Sequence, residues 1–239
     1  MQLKDLIGKQ VHFVGIGGSG MSGLARIAIS HGIKVSGSDS SDSSVLNALR
    51  AIGADVFVGH KTENIAGADL VVYSNAIKES NPERQAALTS GIQQITRAAA
   101  LALLMTESIS IAVAGTHGKT TTSSMATVAL QSAGVDPSFA IGGILKSSGS
   151  NAHRGSGKYF VAEADESDGS FVAYHPHAAI ITNVEWDHVD HFATEAEVFK
   201  VFEEFRSVDR LNLHLVLEHR ILVGLEAHRL RRTSRSFEA

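Results

Sequence analysis

Two glycine-rich segments have the residue types and spacing that phosphate recognition needs. The first is Gly15-Ile16-Gly17-Gly18-Ser19-Gly20, and the second is Gly115-Thr116-His117-Gly118-Lys119-Thr120-Thr121-Thr122. Each follows an apolar run and precedes a stretch with helical spacing. Glycine permits a tight turn and a close backbone approach, and a following helix presents N–H donors and a favourable dipole. Both segments are therefore predicted to bind phosphate groups.

The first segment has the glycine spacing of a dinucleotide-binding turn. Asp39 follows it at the end of the next predicted strand, where an acidic residue could meet a ribose or a base. The surrounding residues 38–42, SDSSD, also favour a helix start, so a capping role for Asp39 stays open. Two alternatives for the segment also stay open, a glycine turn without a ligand and a nicotinamide-dependent dehydrogenase.

The second segment predicts ATP as a ligand and argues against a dehydrogenase. Lys119 could reach the β and γ phosphates, and the hydroxyl of Thr120 could ligate Mg²⁺. The segment differs from the common P-loop because it is shorter and Val113 stands where that motif has its first glycine.

Acidic residues follow two later apolar runs, at the strand ends where open α/β sheets bind ligands. The first group is Glu163, Asp165, Glu166 and Asp168; the second runs from Glu185 to His191 and includes Asp187, His188 and Asp190. Each carboxylate could instead be a solvated strand end or a helix cap. A zinc site on His188 and His191 is an alternative, but hard oxygen donors and the absence of cysteine favour Mg²⁺.

The elements that must position these residues alternate between apolar, β-rich runs and helical stretches. Continuous apolar runs that end in polar residues are typical of a parallel sheet covered on both faces. The predicted class is α/β, with a Rossmann-like doubly wound parallel sheet followed by an incomplete P-loop-type ATPase domain. Residues 81–102 are predicted to be helical, and the second motif begins afresh behind them, which predicts a domain boundary near residue 107.

The composition excludes several classes of function. The chain has 239 residues, 44% of them hydrophobic and 19% charged, with a formal net charge of -4. These values are typical of a globular protein and give no field that would attract nucleic acid or a membrane surface. The absence of cysteine excludes disulfides and thiolate metal sites. Because the first ten residues are polar, we expect no signal peptide and a cytoplasmic location.

The ordered motifs resemble those of the muramyl ligases. They are HFVGIGGSGMSGLA, SGSD, VGH, SNAIKESNPE, AVAGTHGKTTT, IGG, EADESD and TNVEWDHVDH, spread over roughly residues 10–205. The first of them is similar to that of the UDP-N-acetylmuramate:L-alanine ligases in particular. The resemblance implies ATP-dependent joining of L-alanine to UDP-N-acetylmuramate through an acyl phosphate, with Mg²⁺, in peptidoglycan synthesis.

The resemblance also implies roles for individual residues. The UDP-sugar diphosphate would lie on Gly15, Gly17, Ser19 and Gly20. The uridine and sugar would be surrounded by Ser38, Asp39, His60, Ser74 and Asn75. ATP would lie on residues 115–121, that is Gly115, Thr116, His117, Gly118, Lys119, Thr120 and Thr121. Thr120, Glu163 and His188 would hold Mg²⁺, and Lys119, Glu163 and His188 would act in catalysis.

The family pattern divides the chain into a UDP-sugar-binding domain (1–106), part of an ATP-binding central domain (107–205) and an atypical tail (206–239). The tail holds seven of the twelve arginines and no lysine, which we interpret as a reading-frame change or a truncated gene model. Its alternating leucines, Leu211 to Leu217, would nevertheless allow a short strand. We therefore expect the ligase activity to be impaired, and a catalytically incomplete UDP-sugar and ATP-binding module is the alternative.

Overall fold

A computed structural model describes residues 1–167, 169–187, 191–206 and 213–216. Within them the chain forms two sheets, one built from residues 10–96 and the other from residues 109–216. Helices cover both sheets, and α4 (Arg97–Met105) connects the first sheet to the second. The predicted α/β class is confirmed.

The first sheet has five parallel strands in the order β3-β2-β1-β4-β5. The strands are β1 (Gln10–Val14), β2 (Lys34–Asp39), β3 (Asp55–Val58), β4 (Leu70–Tyr73) and β5 (Gln93–Thr96). The helices that belong to it are α1 (Ser19–Ser30), α2 (Ser44–Ala51) and α3 (Pro82–Thr89). Short 3-10 helices lie at Leu3–Leu6 and Thr62–Ile65. The strand order reverses between β1 and β4, which is where sheets of this type bind ligands.

Apolar burial and capping explain these local structures. In β1, residues 11–14 are buried, and α1 packs Met21, Leu24 and Ile27 into one core with Val11 and Phe13. The α2 helix is capped by Ser43, whose hydroxyl accepts a hydrogen bond from the Leu46 amide at 3.3 Å. A polar cap at this position satisfies a backbone donor that the helix leaves without an intrahelical partner.

Strand β5 contradicts the prediction of one helical stretch over residues 81–102. The chain instead ends α3 at Thr89, turns through Gly91 in the left-handed region at φ 68°, and pairs β5 with β4. Thr96 then caps α4 by accepting a hydrogen bond from the Ala99 amide at 3.2 Å. The pairing with β4 decides the conformation of this short segment, because its local pattern is too brief to distinguish strand from helix.

The second sheet has six strands in the order β11-β10-β6-β9-β7-β8. They are β6 (Ile109–Ala114), β7 (Ser138–Leu145), β8 (Ser150–His153), β9 (Tyr159–Glu163), β10 (Ala178–Ile181) and β11 (Leu213–Val216). Its helices are α5 (Lys119–Ser132) and α6 (Glu195–Arg206), with a 3-10 turn at Ser170–Ala173. The sequence predicts β6, β9 and β10, and the alternating leucines allow β11, which pairs with β10.

The β7–β8 hairpin was not predicted, and it makes the second sheet mixed because these two strands are antiparallel. Its hydrophobic pattern is broken by Gly142 and Gly143, and register shifts occur between Ala140 and Leu145. Such an irregular strand gives little periodic signal.

The hairpin packs against α1 and so joins the two sheets. A Cβ added at Gly23 would lie only 2.9 Å from the Cβ of Ala152, so the helix and the hairpin are in close contact. Asn151 donates a hydrogen bond to the Ser19 carbonyl at 3.0 Å, and Arg154 donates to the carbonyl of Ser30. Residues at the carboxyl ends of β1, β4 and β9 border the cleft between the two sheets. Among the residues that the structure describes, no helix has the length and apolar character needed to cross a membrane.

Candidate functional site

The first glycine segment forms the turn between β1 and α1. The amides of Gly15 and Ile16 both donate to the Ser38 carbonyl, at 2.8 and 2.9 Å, which holds the turn against β2. The Gly17 amide donates to the carboxylate of Asp39 at 2.9 Å. A side chain at Gly17 would meet the same carboxylate, since its Cβ would lie 2.8 Å from Oδ2. The turn therefore carries an acidic residue directly beside its glycines.

The residues that the resemblance places around the uridine and sugar differ in their exposure. Ser74 lines the cleft, and Asn75 is exposed beside it. Ser38 is fully buried, and its hydroxyl donates to Glu83 at 2.5 Å. His60 is half-buried, with Nδ1 at 2.9 Å from the Ser38 hydroxyl. Ser38 thus supports its neighbours from below the surface, and the other four, which include the half-buried Asp39, reach the surface.

Glu83 is the centre of this buried polar cluster. Its carboxylate accepts from Ser38 and from Asn64, the latter at 2.6 Å, and lies 3.1 Å from His60 Nδ1. His12, also fully buried, places Nε2 at 3.8 Å from it. Burial would raise the pKa of Glu83, but the nearby imidazole of His12 and the hydrogen bonds from Ser38 and Asn64 outweigh it and lower the pKa to about 2. The group is therefore ionised at neutral pH.

The second glycine segment is clamped to the end of β10. The Thr116 amide donates to the Asn183 carbonyl at 3.1 Å, and the His117 amide donates to the Asn183 side chain at 2.8 Å. The Thr182 hydroxyl donates to the His117 carbonyl at 2.6 Å. Gly118, in the left-handed region at φ 79°, precedes the first residue of α5. The segment therefore has one well-supported shape, with a helix N-terminus at its end.

Gly115 is expected to tolerate no side chain. Its φ is 130°, and an added Cβ would lie 2.1 Å from the Thr182 hydroxyl. We expect Gly115→Ala to lower the free energy of unfolding by about 3 kcal/mol, through backbone strain and displacement of the loop. Urea denaturation measures this change.

A matched control is Gly134→Ala, since Gly134 also has a positive φ, 78°, but nothing lies within 4 Å of its added Cβ. This variant should lose only about 1 kcal/mol. Equal losses in the two variants would show that the loop accommodates the clash.

Lys119 is held inward at the base of the loop. Its Nζ donates to the carbonyls of Gly115 and Thr116, at 2.7 and 3.2 Å, and to the carboxylate of Glu166 at 2.8 Å. The side chains are 15% and 3% exposed, so the ion pair is largely shielded from water. Burial raises the pKa of Glu166 above its ordinary value, although the ammonium of Lys119 opposes this shift.

Thr120 and Glu163 bring oxygen ligands together beside Lys119. The Thr120 hydroxyl donates to Glu163 at 3.0 Å, and the Gly142 amide donates to the other carboxylate oxygen at 2.7 Å. A Cβ at Gly142 would lie 2.8 Å from Glu163 and 2.9 Å from the Thr120 hydroxyl, so only glycine leaves this space open. A hydroxyl and a carboxylate are hard oxygen donors, which fits Mg²⁺.

The remaining predicted ligand, His188, lies outside the described residues, as does Asp168. The zinc alternative therefore stays untested, because it needs His188 together with His191. Within the described ranges no group of three or more His, Asp or Glu side chains is arranged to hold a metal. His117 and Thr121, which complete the predicted ATP segment, are both exposed.

One cleft of about 380 Å³ collects residues from both glycine segments. The predicted site residues among its lining are Gly15, Ser19, Gly20, Ser74, Lys119 and Glu163. Arg97, Asp165 and Gly142 also line it. Lys119 is the residue of the second segment in this lining, so two predicted phosphate-binding turns, 100 residues apart in the chain, border the same space. Such an arrangement is suited to bringing two phosphate-bearing ligands together.

Several residues of the site were not predicted. Glu83 stands within the motif SNAIKESNPE, but no local pattern marks it or Arg97 as a site residue, because an acidic residue in a first helical turn and a basic residue in another usually face water. Thr182 and Asn183 follow β10 at the same sheet edge as the acidic residues, so the strand-end rule that singled out Glu163 could have found them.

Sequence models of two domains match most of the chain. "Mur ligase family, catalytic domain" matches residues 10–108, and "Mur ligase middle domain" matches residues 113–220. The chain is 52% identical over 205 residues to the UDP-N-acetylmuramate–L-alanine ligase of Renibacterium salmoninarum, covering 86% of this chain and 44% of that one. It is 53% identical over 201 residues to the ligase of the same name from a Nocardioides species, covering 84% and 45%. The chain spans about half the length of these curated relatives.

Solved structures agree with the sequence relatives. The UDP-N-acetylmuramate:L-alanyl-gamma-D-glutamyl-meso-diaminopimelate ligase of Neisseria meningitides superposes with a TM-score of 0.80 at 34% identity, covering 87% of this chain and 71% of that one. The UDP-N-acetylmuramate-alanine ligase MurC of Thermotoga maritima also gives 0.80, at 31% identity, covering 91% and 51%. Together with the two domain matches, these similarities establish that the chain belongs to the Mur ligase family.

Proposed function

We propose that the protein serves the ATP-dependent joining of L-alanine to UDP-N-acetylmuramate, in cytoplasmic peptidoglycan synthesis, and so serves cell growth, shape and division. The observation that carries this proposal is the shared cleft, in which the first glycine turn faces Lys119 and Glu163. The names of the relatives supply the specific substrates, since both curated relatives are UDP-N-acetylmuramate–L-alanine ligases.

In this proposal the first sheet binds UDP-N-acetylmuramate and the second binds ATP, with domains at residues 1–106 and 107–205 and a tail at 206–239. The turn of Gly15, Gly17, Ser19 and Gly20 faces the diphosphate, and Asp39, His60, Ser74 and Asn75 border the uridine and sugar. Ser38 acts from beneath by holding His60. The amides of residues 115–121 surround the ATP phosphates at the start of α5.

The chemistry proposed is transfer of the γ-phosphoryl group of ATP to the lactyl carboxylate, followed by attack of the alanine amine on the acyl phosphate. The amide bond forms as the bond to phosphate breaks. Lys119 would leave its inward position to neutralise phosphate charge, while the amides of the loop align the phosphoryl group. Thr120 and Glu163, with His188 from outside the described residues, would hold Mg²⁺, which would further neutralise that charge.

Calorimetric titration of the chain with UDP-N-acetylmuramate, followed by an assay of phosphate release with ATP, Mg²⁺ and L-alanine, tests the proposal. Binding with alanine-dependent phosphate release would support it. Binding without release would favour the alternative of a UDP-sugar and ATP-binding module without turnover. Absence of UDP-N-acetylmuramate binding would overturn the assignment of the first sheet.

Glu163→Gln tests the magnesium role. We expect the affinity for Mg-ATP to fall roughly 10- to 100-fold, because a charged oxygen donor becomes neutral while the hydrogen bond from Thr120 remains available. The affinity for UDP-N-acetylmuramate should stay unchanged. Glu195→Gln, an exposed carboxylate on α6, is the matched control. Unaltered Mg-ATP affinity in Glu163→Gln would remove this residue from the metal site.

A further inference from the structure

Arg97 places a positive charge in the lining of the cleft, between the first glycine turn and the second sheet. It is the first residue of α4, and its side chain reaches across the first turn of α1. A Cβ added at Gly20 would lie 3.2 Å from both Cδ and Nη1 of Arg97. The guanidinium donates a hydrogen bond to the carboxylate of Asp165 at 3.2 Å. Asp165 follows β9 of the second sheet in the chain.

The position of this guanidinium is electrostatically unusual. Arg97 stands at the N-terminus of its own helix, α4, and against the N-terminal turn of α1, which begins at Ser19. Helix N-termini carry partial positive charge, so a cation there is unfavourable unless an anion accompanies it. In this structure the carboxylate of Asp165 is that anion. The Asp165 side chain is 43% exposed and the Arg97 side chain 23%, so the pair is accessible from the cleft.

We propose that Arg97 binds the diphosphate of the nucleotide sugar, and that Asp165 occupies the guanidinium only until this ligand arrives. The inference rests on the proposed function, because it takes the glycine turn beside Gly20 as the diphosphate site. A guanidinium offers two parallel N–H donors that match phosphate oxygens, and the amides of the α1 N-terminus add further donors to the same anion. The diphosphate carries more charge than one carboxylate and therefore displaces it.

The alternative is that the Arg97–Asp165 pair only fastens the two sheets together. The two explanations differ in sign at Asp165. If the Asp165 carboxylate competes with the diphosphate for the guanidinium, removal of this carboxylate tightens diphosphate binding. An ion pair that only connects the two sheets maintains the structure of the cleft, so its removal weakens both diphosphate binding and stability. Substitutions at the two positions should therefore act in opposite directions only if Arg97 binds the diphosphate.

The experiment compares Arg97→Gln, Arg97→Lys and Asp165→Asn in the full 239-residue chain. Calorimetry measures the affinity for UDP-N-acetylmuramate and for UDP, and ligand-observed NMR measures the affinity for uridine. Thermal melting shows whether each variant is folded. We expect Arg97→Gln to lower the affinity for both diphosphate ligands roughly 10- to 100-fold, while the affinity for uridine stays unchanged. Arg97→Lys should retain part of the affinity, since it keeps the charge but loses the paired donors. Asp165→Asn should tighten diphosphate binding about 2- to 5-fold.

Two results would overturn the inference. One is an Arg97→Gln variant that melts like the wild type and binds UDP as tightly. The other is an Asp165→Asn variant that loses UDP affinity to the same extent as Arg97→Gln. A wild-type chain that binds neither diphosphate ligand would overturn the proposed function itself, and the inference with it. Binding by the wild type and equal binding by Arg97→Gln would overturn the inference alone.

Discussion

Lys119→Met is expected to lower the affinity for Mg-ATP roughly 100-fold, because one charge-assisted contact to the phosphates is lost. The same substitution should also destabilise the fold by about 3 kcal/mol. The Glu166 carboxylate, 3% exposed, loses the ammonium that lies 2.8 Å from it, and separating a buried ion pair is costly. Calorimetry with Mg-ATP and urea denaturation measure the two effects separately.

The stability loss in Lys119→Met should depend on pH. Burial raises the pKa of Glu166 in the folded protein, and removal of Lys119 should raise it further. A raised folded-state pKa means that stability is fully present below the ordinary pKa, 4.5, and is lost as the pH rises through the folded-state value. The loss of unfolding free energy in Lys119→Met, relative to the wild type, should therefore be larger at pH 8 than at pH 5.

The double variant Lys119→Met with Glu166→Gln distinguishes stability from binding. Because the neutral amide of glutamine needs no cationic partner, the double variant should recover most of the lost stability while Mg-ATP binding stays weak. A double variant as unstable as Lys119→Met would show that the buried charge is not the cause. Normal Mg-ATP binding in either variant would remove Lys119 from the phosphate site.

Glu83→Gln is expected to lower the free energy of unfolding by roughly 3 kcal/mol at pH 6, since the pKa of Glu83 falls from 4.5 to about 2 on folding. Its carboxylate is fully buried and accepts hydrogen bonds from Ser38 and Asn64. A glutamine at this position keeps the shape of the side chain but loses the charge and one acceptor. Urea denaturation of both proteins over a range of pH measures the difference.

The sign of the pH dependence follows from the lowered pKa. Stability from Glu83 is present above the ordinary pKa, 4.5, and is lost as the pH falls toward about 2. The difference between wild type and Glu83→Gln should therefore shrink to well under 1 kcal/mol near pH 2. The matched control is Glu79→Gln, an exposed carboxylate in the turn before α3, which should show little difference at any pH. A Glu83→Gln difference that stays constant over this pH range would contradict the assignment.

Local sequence was enough to predict the positions of the two glycine turns and of the strands and helices next to them. The turn at Gly15 to Gly20 and the segment from Gly115 to Thr122 each lie between a strand and a helix, as predicted. Glycine spacing, apolar runs and helix starts are properties of a few consecutive residues, so they can be seen without knowing the fold. The acidic residue at the end of β9, Glu163, was found by the same reasoning, because parallel strands present their carboxyl ends at one edge.

Tertiary structure decided the features that depend on residues far apart in the chain. Strand β5 forms because β4 pairs with it, and the β7–β8 hairpin brings the Gly142 amide to Glu163. The partners of Glu83 come from three other elements, and Arg97 meets Asp165 across 68 positions of sequence. Periodicity records only whether a side chain is buried, whereas the identity of its partner depends on how strands and helices pack. For that reason the sequence by itself located the two glycine turns, and the packing of the two sheets determined which charges face each other in the cleft between them.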